Sequence, residues 1–161
     1  MPTLPQLIED DVSVLNAAMH ELLMKSDAGS ALIIDKGGFI ISQYGSIGDI
    51  DTTTLAALSA ASFAATEGIA TLVGENNFSS VYQQGEHSSL LVMNVDEYCL
   101  LTVIFKATLS VGAIRYYAAD TIKKIAGQLK VAHVRSPQGG LDLSMLNLAD
   151  PSPVFKKMKV A

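Results

Sequence analysis

Between Asp51 and Glu75 the chain carries one ionic group, Glu67, so a helix through this segment has no charged face. Asp51-Thr52-Thr53-Thr54 supplies side-chain oxygens for an N-cap, and Gly74 stands where such a helix stops. Leu55, Leu58, Ser62, Ala65, Ile69, Leu72 and Val73 recur at three- and four-residue steps and predict a stripe facing the chain's own core. Ala57, Ala61, Ala64, Gly68 and Thr71 form a second stripe of small residues, where a surface helix carries Lys, Arg and Glu. A helix with no polar side is buried on more than one side. The small stripe lets another backbone approach closely, and Gly68 costs about 1 kcal/mol relative to Ala unless packing offsets it. One side of the segment is therefore expected to close this core and the other to meet another chain.

The rest of the composition narrows the field. At 161 residues the chain is one domain's length, with 49% hydrophobic and 17% charged residues, which suits a compact fold that hides surface in an assembly. A net charge of -5 argues against a nucleic-acid partner, which calls for clustered Lys and Arg. No apolar run is expected to span a membrane, and the N-terminus does not read as a basic-then-apolar leader. A single cysteine, Cys99, excludes an internal disulfide framework and suits a reducing compartment, so the expected location is cytoplasmic.

In chain order, Pro5 opens an amphipathic helix whose apolar positions run from Leu4 to Leu23. Glu9, Asp10 and Asp11 sit in its early turns, and it stops near Ser26–Gly29. Ser30–Asp35 and Phe39–Tyr44 flank Lys36-Gly37-Gly38 as a hairpin, followed by the loop Gly45–Asp49 and the central helix. Phe78–Gln84 reads as a polar edge strand. Ser89–Val95 and Tyr98–Phe105, around Asp96-Glu97, read as central strands covered on both faces. Ala113–Val131 is a last helix. After His133 the composition turns to Pro, Gly and Ser, so the domain is placed at 1–133 and a flexible or partner-ordered tail at 134–161. The fold class is α+β: a three-layer α/β/α sandwich around one five-stranded antiparallel sheet, in the order αββαβββα. The middle helix is expected on one face and the terminal pair on the other.

Chemistry is scarce. His20, His87 and His133 have no metal-ligand spacing, and Cys99 in an apolar strand reads as an inert thiol. Asp35-Lys36-Gly37-Gly38 joins strand to strand and lacks the helix N-terminus of a phosphate site. Asp96 and Glu97 are neighbours in a turn and cannot flank one bond. No catalytic residue, metal site or cofactor is assigned. The only arginines, Arg115 and Arg135, read as surface residues, Arg135 in a flexible stretch.

The order of elements, the IIDKGGFIIS hairpin, the Ala-rich helix running into Leu72-Val73-Gly74-Glu75, the Phe78…Gln84-Gly85-Glu86 strand and the YCLLTVIF strand together resemble the roadblock family of dynein-light-chain-type domains, and within it the bacterial polarity regulators. The resemblance covers about Leu4 to Val131. It implies a profilin-like sandwich and a homodimer in which the third strand pairs with its mate and the two central helices lie side by side. It further implies a partner, a small Ras-like GTPase, bound in its GTP form over the central helices and stimulated without a donated arginine. The expected dimer contacts are Ala57, Ala61, Ala64, Gly68, Thr71, Phe78, Ser80 and Tyr82. The expected partner contacts are Ile47, Ser59, Phe63, Thr66, Glu67 and Ala70. A scaffold or adaptor without effect on hydrolysis, and a small-molecule sensor, are the competing readings.

Overall fold

A computed structural model describes residues 4–135. The elements are α1 (Glu9–Ser26), β1 (Ser30–Asp35), β2 (Ile40–Gly45), α2 (Thr52–Leu72), β3 (Ser80–Gln84), β4 (Ser88–Asn94), β5 (Cys99–Lys106) and α3 (Val111–Arg135). The five strands form one sheet in the order β2-β1-β5-β4-β3, with every neighbouring pair antiparallel. Tight hairpins join β1 to β2, β3 to β4 and β4 to β5, while β1 pairs with β5 across α2 and three strands of sequence.

Strand alternation divides the core in two. Ala31, Ile33, Leu91, Met93, Leu101, Val103 and Phe105 face α1 and α3, where they meet Leu15, Met19, Leu22, Ile114, Ile125 and Leu129. Leu32, Ile34, Val92 and Leu100 face the other way, under Ala56, Ala60 and Phe63 of α2. The inner strands β1, β4 and β5 are apolar on both faces because both faces are covered.

The helix ends follow from local chemistry. Asp11 reaches back to accept from the amide of Ile8 at 2.9 Å, which starts α1 at Glu9, later than Pro5 suggests. Leu4 and Leu7 instead pack on the core from the chain that leads in. Asp27, with φ 61, caps the other end through its amide to the Leu23 carbonyl. The Asp51 carboxylate accepts from the Thr54 amide at 3.1 Å and the Thr54 hydroxyl at 2.6 Å, contacts that hold it below the usual carboxylate range. Gly74 follows α2 with φ 77. The Gly45 turn leaves no room for a side chain, since an added Cβ would lie 2.4 Å from the Gly29 carbonyl oxygen.

Helix α3 continues two residues past His133, and Arg135 is not loose. Its guanidinium donates to both carboxylate oxygens of Asp11, at 2.8 and 3.0 Å. Asp11 is buried and also accepts from Gln128 at 2.6 Å. The segment 136–161, where the tail and its Leu141–Leu148 and Lys156–Lys159 stretches fall, lies outside the described residues.

Candidate functional site

The surface that stands out is the back of α2. Its sheet-facing residues are Ala56, Ser59, Ala60, Phe63 and Ala70. This corrects the predicted phase: Leu58, Ile69, Leu72 and Val73, expected inside, are 63%, 52%, 86% and 62% exposed. The physical reason is that a helix apolar on every side has no charged face to fix its rotation, and size decides instead. Alanines at positions 56 and 60 let the α2 backbone settle close to the sheet, with Phe63 the one large side chain beneath it.

Three expected partner contacts, Ser59, Phe63 and Ala70, are thereby buried under α2 at 2%, 3% and 0% exposure, and a partner on the outside of α2 cannot reach them. Thr66 is half-buried and donates its hydroxyl to the Ser62 carbonyl at 3.0 Å. Glu67 is exposed, and Ile47 is half-buried in the loop before α2. The small residues Ala57, Ala61, Ala64, Gly68 and Thr71 all lie on the outside, as expected, interleaved with Leu58, Ala65, Ile69 and Leu72. Leu58, Ala61, Ala65, Gly68 and Leu72 run along the back of the helix at three- and four-residue steps, an apolar ridge with a low middle.

By length and composition alone α2 would suit a membrane span, contrary to the expectation from its run lengths; its sheet-facing side is, however, part of the domain's own core.

Beside the ridge the sheet ends on β3, which pairs only with β4 among the described residues. Val81 points under α2. Tyr82 points the other way and stacks on Phe105 with ring centroids 6.2 Å apart, so what it offers a neighbouring strand is backbone. Ser80 and Phe78 are half-buried at the start of the same edge. Phe78 lines a cleft of about 240 Å³ with Lys36, Phe63, Glu67 and Asn94, where the β1–β2 hairpin meets α2.

That hairpin carries a feature that sequence pattern alone does not flag. Gly38, with φ 94, comes so close to α2 that an added Cβ would lie 3.0 Å from the Ala57 Cα. The next residue, Phe39, is 74% exposed. In the sequence Phe39 reads only as the first residue of a strand after a glycine pair.

Elsewhere little chemistry is assembled. Cys99 is buried, and burial pushes its thiol up, well away from reactivity. His20 sits at the surface with its Nδ1 3.0 Å from the Tyr44 hydroxyl. Among the described residues no three metal-ligating side chains converge. Tyr116 is 76% exposed and meets Tyr117 edge-on. Arg115 is exposed on α3, and both arginines therefore lie on the face of the sheet opposite α2.

Comparison with known proteins places this geometry. Solved structures similar to the chain include an MglB with a tetrameric arrangement (27% identity, TM-score 0.76, covering 82% of this chain and 99% of that one). Myxococcus xanthus MglB is 31% identical, with TM-score 0.73 and coverage of 79% and 96%. The gliding protein MglB of Thermus thermophilus is 26% identical, with TM-score 0.73 and coverage of 81% and 98%. No curated protein matches by sequence. The Roadblock/LC7 domain model matches residues 15–105, from the middle of α1 to the end of β5, and so takes in the whole sheet and the α2 ridge. The chain belongs to the Roadblock/LC7 family.

Proposed function

We propose that this chain is a homodimeric, non-enzymatic regulator of a small Ras-like GTPase, binding the GTP form and accelerating hydrolysis without donating an arginine. The observation that carries the reading is the α2 ridge, with Leu58, Ile69 and Leu72 between 52% and 86% exposed on a helix with one charge. Contiguous exposed apolar surface of this kind is a protein-contact surface far more often than a neutral feature. The β3 edge beside it, unpaired on its outer side among the described residues, suits a mate that adds its own β3, an isologous contact that brings two α2 helices onto one face of a continuous sheet. The outward sides of the paired helices then form a platform for the GTPase. Likeness to MglB proteins over 96–99% of their length supports the regulator over other roadblock roles. Arg135 is engaged by Asp11 and Arg115 stands on the far face, which favours stimulation through the GTPase's own residues.

The test pairs solution mass with GTPase capture. The wild-type chain is expected at twice its monomer mass, to retain a Ras-like GTPase loaded with a GTP analogue in preference to GDP, and to raise the hydrolysis rate. Ala61→Glu, on the outside of α2, is expected to halve the mass with the fold intact. Equal and negligible capture of both nucleotide forms, across the small GTPases of the same genome, would remove the reading. Capture without any change in hydrolysis would leave an adaptor.

A further inference from the structure

We infer that Phe39, at the tip of the β1–β2 hairpin, is an anchor for the GTPase and not for the second copy of the chain; the inference rests on the function proposed above. The tip is built to hold that ring in place. The amide of Phe39 donates to the Asp35 carboxylate at 2.9 Å, and its carbonyl accepts from the Asp35 amide at 2.9 Å. Gly38 donates to the Asp35 carbonyl at 3.0 Å, and Lys36 donates to the Tyr98 carbonyl at 2.9 Å. Gly38 then presses against the backbone of Ala57, which seats the hairpin on α2. An exposed aromatic on a backbone already fixed at both ends loses little conformational freedom on binding, which is the property of a hot-spot anchor.

Its position selects the partner. Phe39 leads into β2, and β2 and β3 are the opposite edges of the sheet. Four strand spacings of about 4.8 Å separate them, about 19 Å, so a mate joined through β3 docks away from Phe39, while Lys36 shares a cleft with Phe78 and stands between the two. The hairpin nevertheless touches α2 at Ala57, next to the ridge, and a partner seated on the ridge is within reach of it. Lys36 and Glu67 line the adjoining cleft, one from the hairpin and one from α2, and neither forms an ion pair among the described residues. The surface that fits is an apolar socket for the ring, rimmed by a carboxylate opposite Lys36 and a basic group opposite Glu67.

The experiment uses the full chain and the GTPase that the wild type retains, loaded with a GTP analogue. Dissociation constants are measured for wild type, Phe39→Ala, Phe39→Leu and Lys36→Glu, with solution mass and thermal midpoint recorded for each. Phe39→Ala is expected to weaken binding by about 30-fold, the loss of a hot-spot aromatic, and Phe39→Leu by less. Lys36→Glu is expected to weaken it with a stronger salt dependence. Mass and midpoint are expected to stay at wild-type values. An unchanged dissociation constant for Phe39→Ala overturns the inference while leaving the regulator in place. A halved mass for Phe39→Ala also overturns it, by assigning the ring to the self-contact. Failure of the wild type itself to retain any GTPase removes the regulator and this inference together.

Discussion

Arg135, in the last turn of α3, closes a two-pronged ion pair on Asp11 in the first turn of α1, across 124 residues of sequence. The Asp11 carboxylate is fully buried and also takes the Ile8 amide and Gln128. Asp11→Ala leaves four donor groups on three residues without their acceptor and is expected to destabilise the domain by about 2–3 kcal/mol, read from denaturant unfolding.

The same pair sets the acid limit. The Arg135 guanidinium, with the Ile8 amide and Gln128, outweighs burial and holds the Asp11 carboxyl well below the usual range. On the surface, Lys124 and Lys25 bring Glu21 down to about 2. Groups whose pKa is depressed on folding stabilise the protein fully above their unfolded values, near pH 4, and lose that contribution as pH falls below. Stability is therefore expected to be flat from pH 7 to about 5 and to decline below about 4. Asp11→Asn should flatten that decline and lower the neutral plateau, measured by thermal midpoints across the pH series.

Phe63 is the one large α2 side chain beneath the helix, at 3% exposure. Phe63→Ala is expected to cost about 3–5 kcal/mol of folding stability. Unfolding at a lower denaturant midpoint would separate this from a loss of partner contact, which leaves the midpoint unchanged.

Thr102 on β5 and Ser59 on α2 are buried, at 1% and 2% exposure, and neither hydroxyl has a hydrogen-bond partner among the described residues. Thr102→Val removes an orphaned hydroxyl at nearly constant shape and is expected to raise stability by about 1 kcal/mol. A drop in the unfolding midpoint would mean that the hydroxyl is satisfied in solution.

Gly45, with φ 102, turns the chain out of β2 against the Gly29 carbonyl and Leu23 of α1. Gly45→Ala adds both a left-handed penalty and a backbone clash, for an expected loss of at least about 2 kcal/mol, again by denaturant unfolding.

Much of this molecule can be seen in its letters. The hairpin around Lys36-Gly37-Gly38, the twice-covered strands, the polar edge strand and the Asp51 cap each rest on a signal within a few residues, and each stands within two residues of its expected place. What could not be read was rotation and distance. The phase of α2 was ambiguous because one charge in 21 residues gives no polar side, so the large Leu and Ile side chains drew the core to the wrong face. The partner contacts Ser59, Phe63 and Ala70 were lost through that same error. The Asp11–Arg135 pair joins the two ends of the fold, where local pattern carries no information; Asp11 alone looked like a dipole charge and Arg135 like part of a loose tail. Phe39 needed the closeness of Gly38 to Ala57 before its exposure meant anything.

The water-averse back of α2 makes solitude costly for a newly made copy. Until something settles on Leu58, Ile69 and Leu72, every collision with a greasy surface, whether chaperone, bilayer or misfolded neighbour, competes for the same real estate. Under the proposed pairing, a second copy has to win that competition by arriving early, which would make synthesis rate and the local crowding of nascent copies part of how the dimer forms.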